Sequence, residues 1–377
     1  MPGLLPHIDP DGLQEFSVVF TDRALNHMSQ RFQTAMRDIS ATLREVYNAH
    51  AIAVVPGGGT CAMEAVARQF GTGAHALVIR NGWFSFRWSQ IFEAGGFARE
   101  VTVAMARPTG NVPRSSFVPA PIDEVVATIR RARPDVVFAP HVETSAGMIL
   151  PDAYLKAVAD AAHEVGAIFV LDCIASGAVW VDMGAAGADV LISAPQKGWS
   201  ASPSAGLVTL SERGAERLAA TASSSFALDL KKWRAIMEAY EKGGHAYHAT
   251  LPTDALMVFA AAMAETKAMG FAAAAEAQWA LGRAVRGMLE GRGLRSVAAH
   301  GFQAPGVVVS YTDDPDIQTG KKFLGLGYQI AAGVPLQVGE PDWFRTFRIG
   351  LFGLEKLKDV PGTVARLQPA VDALFPA

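Results

Sequence analysis

The stretch 190–211, VLISAPQKGWSASPSAGLVTLS, opens as a run of apolar β-forming residues, stops at Ser193-Ala194-Pro195-Gln196, and then sets one lysine, Lys197, among glycines, serines and prolines. A lysine is ordinarily a solvated surface charge whose stem lies along apolar surface. Here it follows the carboxyl end of a buried strand, which is where open α/β sheets hold their ligands.

Upstream of it the same alternation recurs. Phe32, Met36, Ile39, Leu43 and Val46 recur at helical spacing before the apolar run AIAVVP. CAMEAVARQF, FSFRWSQIFEAG, PIDEVVATIRRA and DAYLKAVADAAHEVG then read as helices, and HALVIR, AREVTV, DVVFAP, AIFVLD and ADVLISAP as strands. Such alternation predicts an α/β fold with a mostly parallel sheet covered by helices on both faces. Its functional loops are 56–61, 81–84, 140–147, 172–177 and 193–198. After about residue 250 the order changes: a long helix from Thr253 to about Gly291, a strand in GVVVSYT, a helix near 318–324, a strand in WFRTFRIGLF and a last helix near 357–375. These elements predict a smaller α+β domain. The expected division is an N-terminal segment (1–25), a large domain (26–250) and a small C-terminal domain (251–377), with EKGGHAYHATLPT at the boundary.

Composition narrows the partners. The 377 residues are 50% hydrophobic and 18% charged, so a globular chain is expected throughout. A net charge of -3 without a block of like charges gives no footprint for nucleic acid or an anionic membrane, which points to a small partner. MPGLLPHIDPDGLQEF has neither the basic nor the apolar region of a signal peptide, and charges at Glu265, Lys267, Glu276 and Arg283 interrupt the alanine-rich stretch 258–285. A cytoplasmic protein is expected. Cys61 and Cys173 lie in apolar motifs and read as buried free thiols.

Three features carry chemistry. In VVPGGGTCAMEAV a strand runs through three glycines into a helix starting near Thr60, which offers backbone N–H groups and a positive helix end to a phosphate. It is not a P-loop, since no Gly-Lys-Ser/Thr follows. Gly57, Gly59 and Ala62 fit a dinucleotide-binding pattern, but the next strand ends at Arg80-Asn81 without an acid for a ribose, leaving an NADP-binding oxidoreductase as that reading. A plain glycine turn is the other alternative. Asp172, ending AIFVLD, is costly in an apolar strand unless it caps the next turn or pairs with a cation such as a protonated ring nitrogen. A lysine at the position of Lys197, partly desolvated and near a cationic centre, can have a neutral and nucleophilic amine at physiological pH. A phosphate cradle, an acid for a pyridinium nitrogen and a Schiff-base lysine together are what pyridoxal 5′-phosphate requires of its protein. His141 and Glu143 form an H-x-E, but no further ligand cluster accompanies them to make a metal site.

With GGGTCAMEAV, HVETSAG, LDCIASGAVWVDM, ISAPQKGWSASPSAGLV, YHATLP and FRIGLFG in this order, the chain from about 26 to 353 resembles the class V, fold-type I pyridoxal-phosphate aminotransferases of the alanine-glyoxylate and serine-pyruvate group. The resemblance implies the large domain and smaller C-terminal domain of that fold. It implies that Lys197 binds pyridoxal 5′-phosphate covalently and that Asp172 keeps the ring nitrogen protonated. Gly59, Thr60, Cys61 and Gln196 would serve the phosphate, Phe84 would stack on the ring, Ser145 would lie near the ring oxygen and Ala175 under the ring. Arg348 would grip the substrate α-carboxylate, for which a planar guanidinium has the right geometry. Tyr247 and Thr250 would reach the phosphate of a neighbouring subunit, which implies a homodimer with shared active sites. The implied reaction moves an amino group from an alanine- or serine-like donor to a keto acid such as glyoxylate or pyruvate, by a ping-pong route. A lyase or desulfurase of the same fold is the alternative; a desulfurase would need an exposed cysteine on a mobile loop. The pattern departs at the N-terminus, where SVVFTDRALNHMS replaces a Gly-Pro-rich segment and alters the pocket wall around 21–23.

Overall fold

In the computed structural model, the apolar runs form a seven-stranded sheet in the order Ala51–Pro56, Ala205–Leu210, Val190–Ser193, Ile168–Asp172, Val136–Pro140, His75–Arg80, Glu100–Met105. Residues 8–9 and 12–376 are described; of the expected N-terminal segment, residues 1–7, 10 and 11 lie outside the described residues, as does residue 377. Every residue of the three central strands 136–140, 168–172 and 190–193 is buried. With both faces covered, these strands need no apolar-polar alternation, which is why they read as continuous apolar runs.

Neighbouring strands are parallel, except that Ala205–Leu210 runs antiparallel to both of its partners. This strand, AGLVTL, is not among those expected from the sequence pattern. The connection 194–204 contains the Lys197 turn and no helix, and without a crossover helix the chain turns straight back beside Val190–Ser193.

Helices seat their apolar faces on this sheet. Gln30–Tyr47 begins at Ser29, whose hydroxyl accepts from the Phe32 N–H at 3.1 Å, and buries Phe32, Met36, Ile39 and Leu43 in the main core. Tyr47 joins them and bonds Ser193 at the end of the Val190–Ser193 strand.

Toward the C-terminus the expected long helix is in fact two. Thr253–Met269 and Phe271–Glu290 meet at 85° around Gly270. The alanine-rich sequence conceals the bend because alanine suits every side of a helix. The bend lets one apolar stretch serve two cores: Leu256, Phe259 and Met263 pack in the main core, and Leu281, Val285 and Leu289 in a second one with Val308, Phe347 and Val371. No single helix among the described residues is long and apolar enough to cross a membrane; only the bent pair taken together has the length and composition. The helix expected near 318–324 is likewise two short ones, Pro315–Gln318 and Lys321–Gly325. The last helical region is Leu354–Lys358 followed by Val360–Leu374.

A second sheet pairs Thr346–Gly350 with Val307–Tyr311 on one side and Ala331–Ala332 on the other, all antiparallel. A third apolar cluster binds it to the main sheet: Val142, Ala146, Met148 and Ile149 pack with Val297, Ala304, Val307 and Val309. Because Val309 is the register partner of Arg348, the loop after Val136–Pro140 and the strand that carries Arg348 are held as one unit.

Candidate active site

The loops beyond the carboxyl ends of the parallel strands converge, as the rule for open sheets requires. After Ala51–Pro56 the chain turns into the helix Gly59–Phe70, whose N-cap Gly58 has no side chain to offer its first N–H groups. The Gly59 and Thr60 N–H groups are available to an anion, while the Cys61 N–H donates to the Gly58 carbonyl at 2.9 Å. Gly59 lies against the turn after Asp172: a Cβ there would come within 2.7 Å of Ile174 Cδ1. Thr60 is exposed; Cys61 is half-buried rather than buried, while Cys173 is buried, and both are free thiols.

Asp172 is the last residue of its strand and is buried. Its Oδ1 accepts from the Ile174 N–H at 2.9 Å. Burial pushes its carboxyl up to about 7; the Glu143 charge acts in the same direction, while the Ile174 N–H and the Arg87 guanidinium oppose it. A cation placed beside such an acid would favour its charged form at neutral pH.

Lys197 sits in the turn after Val190–Ser193, half-buried, with Nζ 5.4 Å from the centre of the Phe352 ring. Gly198 lets this turn close on the Asp172 loop, since any Cβ there would overlap the Gly177 carbonyl oxygen. Burial lowers the lysine's pKa from its ordinary value, and the Arg348 and Arg87 guanidiniums lower it further. Both cations disfavour adding a third charge to the site. Beside the lysine, Gln196 keeps a buried Oε1 without a hydrogen-bond partner. Ala175 packs, half-buried, against the third apolar cluster.

The helix Trp83–Gly95 follows the strand His75–Arg80 and also starts at a glycine, Gly82. Its cap comes from a distant loop. The fully buried Glu143 carboxylate accepts from the backbone N–H groups of Phe84 (3.3 Å), Ser85 (2.8 Å) and Ser145 (3.0 Å) and lies within hydrogen-bond distance of the Ser85 and Ser145 hydroxyls, at 2.7 and 2.8 Å. Ser145 Oγ in turn accepts from the Trp83 N–H at 3.0 Å. A Cβ on Gly82 would overlap Ser145 Oγ, so this approach requires glycine.

The clamp fixes Phe84, and two guanidiniums stand by its ring: Arg87 at 5.3 Å and Arg348 at 5.4 Å from the centroid. Arg348 anchors Nε on the Ala332 carbonyl at 2.8 Å, and burial lowers its pKa while the Glu143 charge pulls the other way. Arg87 Nη1 donates to Thr60 Oγ1 at 3.1 Å. Tyr247 and Thr250, both exposed, pair with each other at 3.3 Å, with the Tyr247 ring 5.6 Å from His27. Neither makes a described contact with the cluster around Lys197.

Arg80, the cation left open for an NADP phosphate, is committed elsewhere: it donates to the Gln337 carbonyl and Ser89 Oγ and stacks on Phe86. That reading falls with the comparisons too. The family model Aminotransferase class-V matches residues 14–324. The chain belongs to the class V aminotransferases. Among similar proteins, the alanine–glyoxylate aminotransferase of Callithrix jacchus is 25% identical over 350 residues, covering 89% of this chain and 79% of its own length. A Synechococcus sp. (strain PCC 6716) protein called soluble hydrogenase, small subunit, is 25% identical over 356 residues, covering 93% and 88%. In fold, the chain superposes on the alanine–glyoxylate aminotransferase of Nostoc sp. with a TM-score of 0.77 at 24% identity, covering 93% of this chain and 88% of that one.

Membership makes this class V chain a pyridoxal-phosphate-dependent transaminase with amino acid and keto acid substrates. Its site suits that cofactor. An uncapped helix end meets an anion, the raised pKa of Asp172 calls for a cation such as a pyridinium, and the lysine amine has no carboxylate among the charges acting on it. Glu143 and Arg87 belong to this cluster, although neither is among the site residues expected from the sequence. The only local signal for Glu143 is the H-x-E spacing, which suggests a metal motif rather than a cap. Arg87 stood three residues after Phe84, which is the spacing of one helix face.

Proposed function

We propose that this class V transaminase takes an alanine- or serine-like amino acid as donor and a small keto acid, such as glyoxylate or pyruvate, as acceptor, in a ping-pong cycle on a homodimer. The observation that carries the proposal is the half-buried Lys197 amine, whose pKa is lowered by burial and by Arg348 and Arg87. Bound pyridoxal phosphate supplies a reactive aldehyde and an electron-accepting ring.

The protein's own groups do the rest. Lys197 Nζ, uncharged at lower pH than an ordinary lysine, would hold the cofactor until the substrate amine takes its place, and the freed amine would then move the proton at the substrate Cα. Asp172 would hold a proton on the ring nitrogen by pairing with it. The N–H groups of Gly59 and Thr60, with Gln196, would bind the phosphate; the Cys61 N–H, expected to join them, instead donates to the Gly58 carbonyl at 2.9 Å. Phe84 and Ala175 would hold the ring, and Ser145, oriented by its bonds to Glu143 and the Trp83 N–H, would lie near the ring oxygen. Arg348, anchored through Nε, keeps its other two nitrogens for the substrate α-carboxylate. Exposed Tyr247 and Thr250 fit a role at the partner subunit's phosphate. A desulfurase is less well supported, because Cys173 is buried and burial raises its thiol pKa, while Cys61 lies in the helix start beside Gly57.

A visible absorbance titration of the purified protein with single amino acids tests this. Conversion of the cofactor to its amine form by one donor, and its return on adding glyoxylate or pyruvate, is the expected result. Release of the amino acid's sulfur, or elimination without a keto-acid requirement, would instead establish the alternative chemistry. A monomer with full activity would remove the shared site.

A further inference from the structure

We infer that Arg87, on the helix Trp83–Gly95, is a cofactor-phosphate ligand. The inference rests on the reading of the Lys197 cluster as the pyridoxal-phosphate site and adds to it a residue outside the glycine-rich loop.

Arg87 is half-buried, and no carboxylate is paired with its guanidinium among the described residues. With one donor on Thr60 and no carboxylate partner, the rest of the guanidinium fork has N–H groups to offer an anion. What it does touch defines which anion. Nη1 donates to Thr60 Oγ1 at 3.1 Å, and Thr60 is in the first turn of the helix Gly59–Phe70, where the uncapped N–H groups point. The guanidinium is also over the Phe84 ring, three residues earlier on its own helix, which restrains it along that face. Its charge acts on both Asp172 and Lys197, so it belongs to the same cluster as they do.

The other unpaired guanidinium near Phe84, Arg348, is anchored on the far sheet through Ala332 and shares no contact with Thr60. The two cations therefore divide two anions: Arg348 the substrate carboxylate and Arg87 the phosphate. The division gives the helix end the full positive charge that its dipole alone, about half a charge, does not supply. A guanidinium fork also suits phosphate oxygens better than an ammonium does.

The test uses the cofactor-free full-length protein and reads equilibrium binding rather than turnover. Pyridoxal 5′-phosphate and pyridoxal, which lacks the phosphate, are titrated by absorbance into wild type, Arg87→Ala and Arg87→Lys. The expected result is a roughly ten- to hundredfold weaker affinity of Arg87→Ala for the phosphorylated form, with the affinity for pyridoxal unchanged, Arg87→Lys in between, and inorganic phosphate competing less well against the variant. Equal loss for both ligands would make Arg87 structural and overturn the inference. So would unchanged affinity for both, or a change confined to the KM of a dicarboxylic substrate. Uptake of pyridoxal phosphate by the wild type is the separate check on the site: if it takes up none, the reading of the site fails along with the inference, whereas a wild type that binds and an indifferent variant overturn the Arg87 assignment alone.

Discussion

Glu143 Oε2 accepts from the Ser85 backbone N–H at 2.8 Å and meets the Ser85 hydroxyl at 2.7 Å, so a carboxylate 58 residues away caps the helix that presents Phe84 and Arg87. The helix N-cap is Gly82, which has no side chain, and the borrowed cap satisfies donors that would otherwise be buried without partners. The same carboxylate orients Ser145 and bears electrostatically on Asp172 and Arg348. One buried charge thus sets the positions of several site groups.

Glu143→Ala is expected to destabilise the protein by about 3–5 kcal/mol, since it strands several buried donors at once. Glu143→Gln, which keeps an acceptor oxygen but loses the charge, should cost about 1–2 kcal/mol and also weaken cofactor binding. Urea denaturation of the cofactor-free variants measures both; an alanine variant as stable as wild type would contradict the capping role.

Asp172 makes the stability of the cofactor-free protein pH-dependent. Its folded pKa, about 7, lies above the ordinary carboxylate value. Its favourable contribution is therefore complete below that ordinary value and is lost as pH rises toward 7, where the folded state must carry a buried charge. Asp172→Asn should gain stability over wild type between pH 4 and pH 8, on the order of a few kcal/mol. Added pyridoxal phosphate should narrow the difference by pairing with the wild-type acid alone. Unfolding curves at pH 5 and pH 8 with and without cofactor check the sign.

For Lys197, removal of the proton-moving amine in Lys197→Ala should lower transamination by roughly 10²–10⁴-fold. Lys197→Arg should do no better, because a guanidinium does not deprotonate. In the wild type, the acidic limb of the kcat profile that belongs to this amine should lie below the ordinary lysine range, in keeping with its lowered pKa. Steady-state rates across pH, alongside the two variants, test all three statements.

Arg348→Lys should raise the KM for an amino acid donor by roughly ten- to a hundredfold, because a bidentate contact becomes a single one. A primary amine without a carboxylate should react equally with both proteins. A comparison of kcat/KM for the two substrate types decides whether Arg348 reads the carboxylate.

Legibility followed the range of the interaction involved. Lys197 and Asp172 stood out in sequence because each is a polar residue ending an apolar run, and the glycines at 57–59 because strand, turn and helix follow in one local segment. Glu143 did not, because its partners Phe84 and Ser85 are far away in the chain and only folding brings their N–H groups to it. The bend at Gly270 was equally concealed, since the alanines on either side fit any helix direction and two separate cores decide where each half packs.

By itself, the sequence determined the alternation of strands and helices, the mostly parallel sheet and the family, because period and strand-end polarity are local properties of the chain. Only the tertiary structure decided the reversal of Ala205–Leu210, the capping of one loop's helix by another loop's carboxylate, and the meeting of Arg87 with Thr60. Those depend on which distant backbone groups are left without partners when the sheet closes, and burial makes each unpaired group costly enough to be answered from elsewhere in the fold.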